Sequence, residues 1–164
     1  ANVDAAQLSK VIHQDQALAG QVLRGANAGS FRGVSEIVSL QQAVARLGSN
    51  LITELACAAS LQSAFRSPAH AERMAVCGRY SMATALFAKE VARAGRRNVE
   101  LAFLCGLMHN LGESTVLFIL GKRKGIAPET IELCLEELRE EAGLAVARTW
   151  RLPEPVRGAV TYYP

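Results

Sequence analysis

Aromatic side chains are scarce in this 164-residue sequence, although half of its residues are hydrophobic. Only 5% of the residues are Phe, Trp or Tyr, so the core must be built mainly from Leu, Val, Ile and Ala. Such an alanine-rich composition favours helices over strands. The length is that of one domain, large enough to bury a substantial core and to divide into two small helical lobes.

Cysteine pairs are missing. Cys57, Cys77, Cys105 and Cys134 lie far apart inside apolar helical patterns, and no CxxC motif is present. This spacing argues against a secreted disulfide framework and against a zinc knuckle. It is typical of buried free thiols in a reducing cytoplasm.

No signal peptide and no apolar stretch of about 20 residues is evident in the sequence. We therefore expect a cytoplasmic domain with no membrane-inserted segment. The sequence starts at Ala1 without an initiator Met, so we expect a piece of a longer protein.

Charge of either sign is modest, at a net +3, which is too little to predict nucleic-acid binding. Its distribution is uneven. Residues 1–65 carry equal numbers of basic and acidic side chains. Residues 66–124 carry ten basic and four acidic side chains, whereas residues 125–164 carry four basic and seven acidic ones. These regions are either solvated faces of different helices or a basic surface for an acidic partner.

Helical periodicity recurs along most of the chain, and no strand alternation is present. The pattern starts with a stripe of Leu8, Val11 and Ile12. The longest predicted helix covers 69–94, and a helix capped by Asn98 ends near Gly112. After Pro128 the pattern predicts two adjacent pieces, to about Leu138 and over 142–150, and a last one over 155–160. The predicted fold class is all-α.

Four segments, in register, resemble the HDOD family, the HD-related output domains of bacterial signalling proteins. The first is Asp15–Ala28, in which an Asn follows a Leu-Arg pair, and the second is Ser39–Gly48, which ends in a Leu-Gly turn. The third consists of two stretches, Tyr80–Ala88 and Ala102–Gly112. The fourth is Gly143–Val156, which contains Trp150 and a Leu-Pro sequence. The resemblance implies one helical domain over 1–164, with an N-terminal lobe over 1–66 packed on an HD-like lobe over 67–164.

The resemblance also implies a degenerate metal site. HD-type phosphohydrolases use a His on one helix and a His-Asp pair on another, whereas this chain has Tyr80 at the first position and His109-Asn110 at the second. Arg139 replaces a further His of many relatives, and Tyr162-Tyr163 replaces a terminal His pair. An amide has no charge, and Tyr and Arg are poor ligands for divalent ions. We therefore predict no metal, no cofactor and no catalytic residue.

His109 and Asn110 leave two structural interpretations open. His109 is either a core histidine bonded to a neighbour or, with Asn110 and Tyr80, part of a polar pocket for a small ligand. Asn110 could also cap the turn at Gly112.

Two basic runs, Arg96-Arg97 and Lys122-Arg123-Lys124, flank the helix that carries His109. If the two ends of that hairpin meet, the five cations form a patch for a nucleotide or an acidic partner face. Alternatively they only complement helix dipoles.

The predicted function is a non-catalytic regulatory domain that binds a signalling protein or a fused regulatory domain. The alternatives are a metal-dependent phosphohydrolase acting on a nucleotide or phosphodiester, and a non-catalytic module that senses a nucleotide or another small ligand.

Overall fold

The computed structural model describes residue 12 and residues 16–28 and 35–161. Within this part of the chain every regular element is helical, which confirms the all-α fold class. Of the first predicted stripe only Ile12 is described, and it is helical and buried; Leu8 and Val11 lie outside the described residues, as do Tyr162 and Tyr163.

The residues up to Ala64 form one compact unit. It contains α1 (Gln16–Ala26), α2 (Leu40–Leu47) and α3 (Ser49–Ala64). Ser39 caps α2 through its side chain, which accepts a hydrogen bond from the Gln42 amide. The Asn27 side chain donates to the Ile37 carbonyl at 2.8 Å and accepts from the Ile37 amide at 2.9 Å. These two bonds connect the end of α1 to the segment that leads into α2.

The residues from Phe65 form a second compact unit. A 3₁₀ turn, Pro68–His70, leads into α4 (Ala71–Ala94), which is followed by α5 (Val99–Met108), α6 (Leu111–Leu120), α7 (Pro128–Thr149) and α8 (Glu154–Thr161). Asn98 caps α5, as predicted, by accepting from the Leu101 amide. Helix α5 packs on α4, α6 packs on α7, and α8 packs on both α5 and α7.

Two predicted elements differ from the structure. The two pieces predicted after Pro128 are one 22-residue helix, α7, because the glutamate-rich stretch between them contains no helix breaker. The predicted 69–94 helix begins at Ala71, after the 3₁₀ turn.

One face of α4 is buried and packs closely on α5. It contains Cys77, Ser81, Ala85 and Ala92. A Cβ atom added to Gly106 of α5 would lie 2.6 Å from Ala85 Cα, so the two helices approach at backbone contact. Val91, however, is exposed.

One stretch, Val99–Leu120, is long and apolar enough to cross a membrane by composition. This corrects the expectation that no such stretch exists. Half of it is buried inside the protein, and core helices of soluble proteins meet the same criterion, so it is weak evidence for a membrane span.

Candidate functional site

The site develops around a break in the helical path between α5 and α6. His109 keeps helical dihedral angles (φ −55°, ψ −28°), whereas Asn110 departs from them (φ −101°, ψ 16°). His109 Nδ1 lies 2.8 Å from the Gly106 carbonyl oxygen. Because a carbonyl oxygen only accepts, Nδ1 carries the proton, and in the neutral ring Nε2 is left as an acceptor.

Asn110 is 6% exposed. Its Nδ2 donates to the Cys77 carbonyl oxygen at 3.4 Å, which links the helix break to α4. Its Oδ1 is buried and has no hydrogen-bond partner among the described residues. Asn110 precedes α6 but makes no capping bond through its side chain, so the expected capping role is not observed.

A pocket of about 80 Å³ lies beside this break. His109, Asn110 and Arg139 line it, so three of the four predicted site residues come together, joined by Glu113, Glu140 and Thr161. Tyr80 is not among the lining residues and is 68% exposed on α4. A pocket that includes Tyr80 was one of the two alternatives left open by the sequence, and the pocket beside the break forms without it.

Glycines bring the walls of this pocket into backbone contact. A Cβ atom on Gly112 of α6 would lie 1.9 Å from the Arg139 carbonyl oxygen on α7. A Cβ atom on Gly143 would lie 2.6 Å from Val160 of α8 and 3.0 Å from the Gly112 amide nitrogen. This close approach places Arg139 next to the His109-Asn110 break.

Three residues that sequence reasoning missed set the local electrostatics. Arg73 Nε on α4 lies 3.0 Å from Glu113 Oε1 on α6, and its guanidinium also bonds Glu132 on α7. The hydrogen bond to Glu132 and the nearby Glu113 raise the pKa of Arg73, and the same bond lowers the pKa of Glu132. Glu113 follows His109 by four residues, one helical turn, and that spacing was the available signal.

Cys77 lies against the same group of charges. Burial, followed by the negative charge of Glu113, raises the pKa of its thiol to about 12. The thiol is therefore protonated at neutral pH and is a poor nucleophile and metal ligand.

The donor atoms do not suit the metal ion that HD-type chemistry requires. No group of three His, Cys, Asp or Glu side chains that could hold a metal occurs in the part of the chain that the structure describes. Glu113 is bonded to Arg73, and Arg139 brings positive charge to the pocket. Metal sites of this kind need several imidazole or anionic ligands.

The two basic runs do not join into one patch. Helices α5 and α6 do not form a hairpin, because each packs on different helices. The runs therefore lie at the two outer ends of the α5–α6 segment, and this corrects the five-cation patch expected from the sequence. Lys122 Nζ lies 4.1 Å from the centre of the Phe118 ring, while Arg123 and Lys124 border a second pocket of about 490 Å³ with His70.

Comparisons with known proteins agree with this architecture. A crystal structure of an HDOD domain protein of unknown function from Geobacter sulfurreducens matches with a TM-score of 0.68 and 25% identity, over 98% of this chain and 58% of that one. A proposed metal-dependent phosphohydrolase from Shewanella amazonensis SB2B matches with a TM-score of 0.66 and 20% identity, over 98% and 61%, which shows a shared fold.

An uncharacterised protein of Treponema pallidum (strain Nichols) is 26% identical over 179 residues, covering 99% of this chain and 34% of the relative. The chain thus spans about a third of that relative and about three fifths of each solved chain. The HDOD domain model matches residues 1–163, and the chain therefore belongs to the HDOD family.

Proposed function

We propose that this HDOD domain is a non-catalytic regulatory and protein-interaction domain of a cytoplasmic bacterial signalling protein. Its partner would be another signalling protein or a regulatory domain of the same polypeptide. The observation that carries the proposal is the chemistry of the His109-Asn110 break. The buried carbonyl oxygen of Asn110 has no partner within the described part of the chain, and the Arg139 guanidinium borders the same pocket.

Metal-assisted hydrolysis needs a carboxylate or several imidazoles to hold the ion and to lower the pKa of the attacking water. Asn110 supplies one neutral carbonyl oxygen, and Tyr80 lies outside the pocket. The chain retains the helical frame while its side chains no longer suit that reaction. This combination supports recognition rather than turnover.

The pocket size also argues against nucleotide sensing at the break. A volume of about 80 Å³ holds a few water molecules, whereas pockets for drug-sized ligands have roughly 300–1,000 Å³. The pocket of about 490 Å³ bordered by Arg123 and Lys124 is large enough for an anionic ligand. Ligand sensing at this larger pocket is therefore a second candidate function.

Elemental analysis and activity assays test the proposal. Protein purified without chelator should contain well under one equivalent of iron, manganese, zinc or nickel, and it should show no phosphodiesterase or phosphatase turnover. The control is His109→Ala, which removes the imidazole that lines the pocket. One tightly held ion per chain that is lost in this variant, or turnover that it abolishes, would contradict a non-catalytic role.

A further inference from the structure

An apolar stripe runs along the solvent side of α4. Val76, Tyr80, Phe87 and Val91 are all exposed, with Tyr80 at 68% and Phe87 at 75%. At 3.6 residues per turn these four positions fall within an arc of roughly 60°. The buried residues of α4, such as Cys77 and Ala85, lie on a different face. The stripe is therefore a second apolar face, separate from the one that packs in the core.

Isolated exposed apolar residues are ordinary, but a continuous row of them on one helix indicates an interaction surface. Tyr80 and Phe87 are seven residues apart, and Val76 and Val91 each lie one helical turn beyond them, so all four share one face of α4. This pattern favours a second helix as the occupant of the stripe.

The stripe is also symmetric about its own centre. Val76 and Val91 are equidistant from the midpoint between Ala83 and Thr84, and so are Tyr80 and Phe87. A two-fold axis through this midpoint would place Tyr80 of one copy beside Phe87 of the other, and Val76 beside Val91. The small side chains at the midpoint would let two helices approach closely. Such self-complementarity is what a two-fold symmetric dimer requires.

Charge complementarity selects the direction of pairing. Glu72 lies in the first turn of α4 at the edge of the stripe, and Arg96-Arg97 follow its last turn. Antiparallel pairing places Glu72 of one copy next to the Arg96-Arg97 turn of the other, at both ends. Parallel pairing would instead place the two arginine turns side by side, which is unfavourable.

We propose that two copies of this chain dimerise through antiparallel packing of their α4 helices along the Val76–Val91 stripe. The dimer does not depend on the regulatory role proposed above. In it, Tyr80 packs against the partner copy.

Oligomeric state tests the proposal directly. Sedimentation equilibrium of the chain should give twice the monomer mass at high concentration. Phe87→Glu should weaken the dimer by on the order of 100-fold, as expected when a central aromatic anchor is lost from both copies. Its helicity and melting temperature in the monomeric state should be unchanged because Phe87 is exposed. Phe87→Gln provides a second variant that adds no charge.

Leu133→Glu is the matched control, because Leu133 is also an exposed apolar side chain, at 57%, but belongs to α7 and not to the stripe on α4. It should leave the dimer intact. A Glu72→Arg variant should dissociate more readily, and adding Arg97→Glu should restore the association. A wild-type chain that stays monomeric at all attainable concentrations, or a dimer that tolerates both Phe87 changes, would overturn the proposal.

Disulfide trapping tests the direction. In a Cys57→Ser background, Ala83→Cys should form an intermolecular disulfide on mild oxidation, because the two-fold axis brings this position close to its own copy. Ala94→Cys should not form one, since antiparallel pairing separates it from its copy by about 30 Å. Efficient trapping at Ala94 would indicate parallel helices and overturn the antiparallel arrangement.

Discussion

Asn110 is a buried polar residue at the break between α5 and α6. It is nearly fully buried, donates to the Cys77 carbonyl and leaves its own carbonyl oxygen without a partner among the described residues. A carboxylate at the same place would gain no donor from the described contacts and would lie near Glu113, which lines the same pocket. Burying such a charge is costly unless it is paired.

Asn110→Asp is therefore expected to create no hydrolase activity and to lower the free energy of unfolding by about 1–3 kcal/mol at neutral pH. The loss should shrink as the pH falls and the new carboxyl group takes up a proton. Urea unfolding at several pH values measures it. Asn98→Asp is the control, because Asp at that exposed N-cap position accepts the Leu101 amide equally well. Gain of phosphodiesterase turnover in Asn110→Asp would show that one carboxylate suffices to restore catalysis.

Cys77 and Cys57 should differ in reactivity. Burial raises the pKa of the Cys77 thiol to about 12. Partial burial and the charge of Glu54 also raise the pKa of Cys57 on α3, but the Cys57 side chain is exposed to reagents. A thiol-specific reagent at mildly alkaline pH should modify Cys57 in the native protein and Cys77 only after denaturation. Mass spectrometry of the labelled peptides gives the result, and rapid native labelling of Cys77 would contradict the described burial.

The raised pKa of the Cys77 thiol makes the stability of the fold depend on pH. The unfolded thiol loses its proton near its ordinary pKa of 9.0, while the folded thiol keeps it until about pH 12. The folded state thus holds the extra proton between these values, so stability should fall as pH rises through this window. Cys77→Ala, compared at each pH, should lack that component of the slope.

Among the helices, α6, α7 and α8 form the pocket beside the break. Gly112 and Gly143 allow these helices to touch at the backbone, and the Arg73 guanidinium joins both of them to α4 through Glu113 and Glu132. The ion pairs are partly exposed and contribute little individually. Helix packing, rather than charge, therefore maintains the geometry.

Gly112→Ala should destabilise the fold by about 1–3 kcal/mol, since the added methyl group would overlap the Arg139 carbonyl and force α6 and α7 apart. Thermal and urea unfolding measure the change. Gly158→Ala on α8 is the matched control. Its Cβ would meet nothing within 4 Å, so the higher helix propensity of alanine should raise stability by up to about 1 kcal/mol. Equal effects of the two substitutions would show that the close approach is not required.

For the whole molecule, the main electrostatic feature is the contrast between the basic 66–124 region and the acidic 125–164 region. Lys122, Arg123 and Lys124 are exposed in the turn after α6, and two of them border the larger pocket. Charges at such a surface act mainly on association rate and on partner choice.

Replacing Lys122, Arg123 and Lys124 together with Glu should leave the helicity intact, because the turn lies between helices. It should weaken binding of the cognate partner or of an anionic nucleotide, and the wild-type affinity should itself fall as salt rises. Circular dichroism and titration calorimetry at two ionic strengths check both points. The control is Arg148→Glu with Arg151→Glu, two exposed arginines outside the basic turn, which should leave this binding unchanged. Binding indifferent to salt and to the triple change would assign recognition to an apolar face instead.

Much of the secondary structure of this protein can be predicted from local sequence signals. Ser39 and Asn98 cap the helices predicted to follow them, and the spacing of apolar residues predicts the all-α class. The caps and the apolar spacing depend on residues within a turn or two of one another, so no knowledge of distant contacts is needed. The altered donor set at Asn110 and Arg139 was an expectation from the resemblance to the HDOD family, not from local pattern.

The tertiary structure alone decided which faces are buried and which residues meet. Helix α4 carries apolar residues on two sides, so its sequence does not say whether Tyr80 and Val91 face the core or the solvent. The contact of Arg73 with Glu113 joins residues 40 positions apart, and Gly112 meets Arg139 through the packing of two helices. Such contacts depend on how complete helices pack, and packing depends on every face of each helix at once rather than on local pattern.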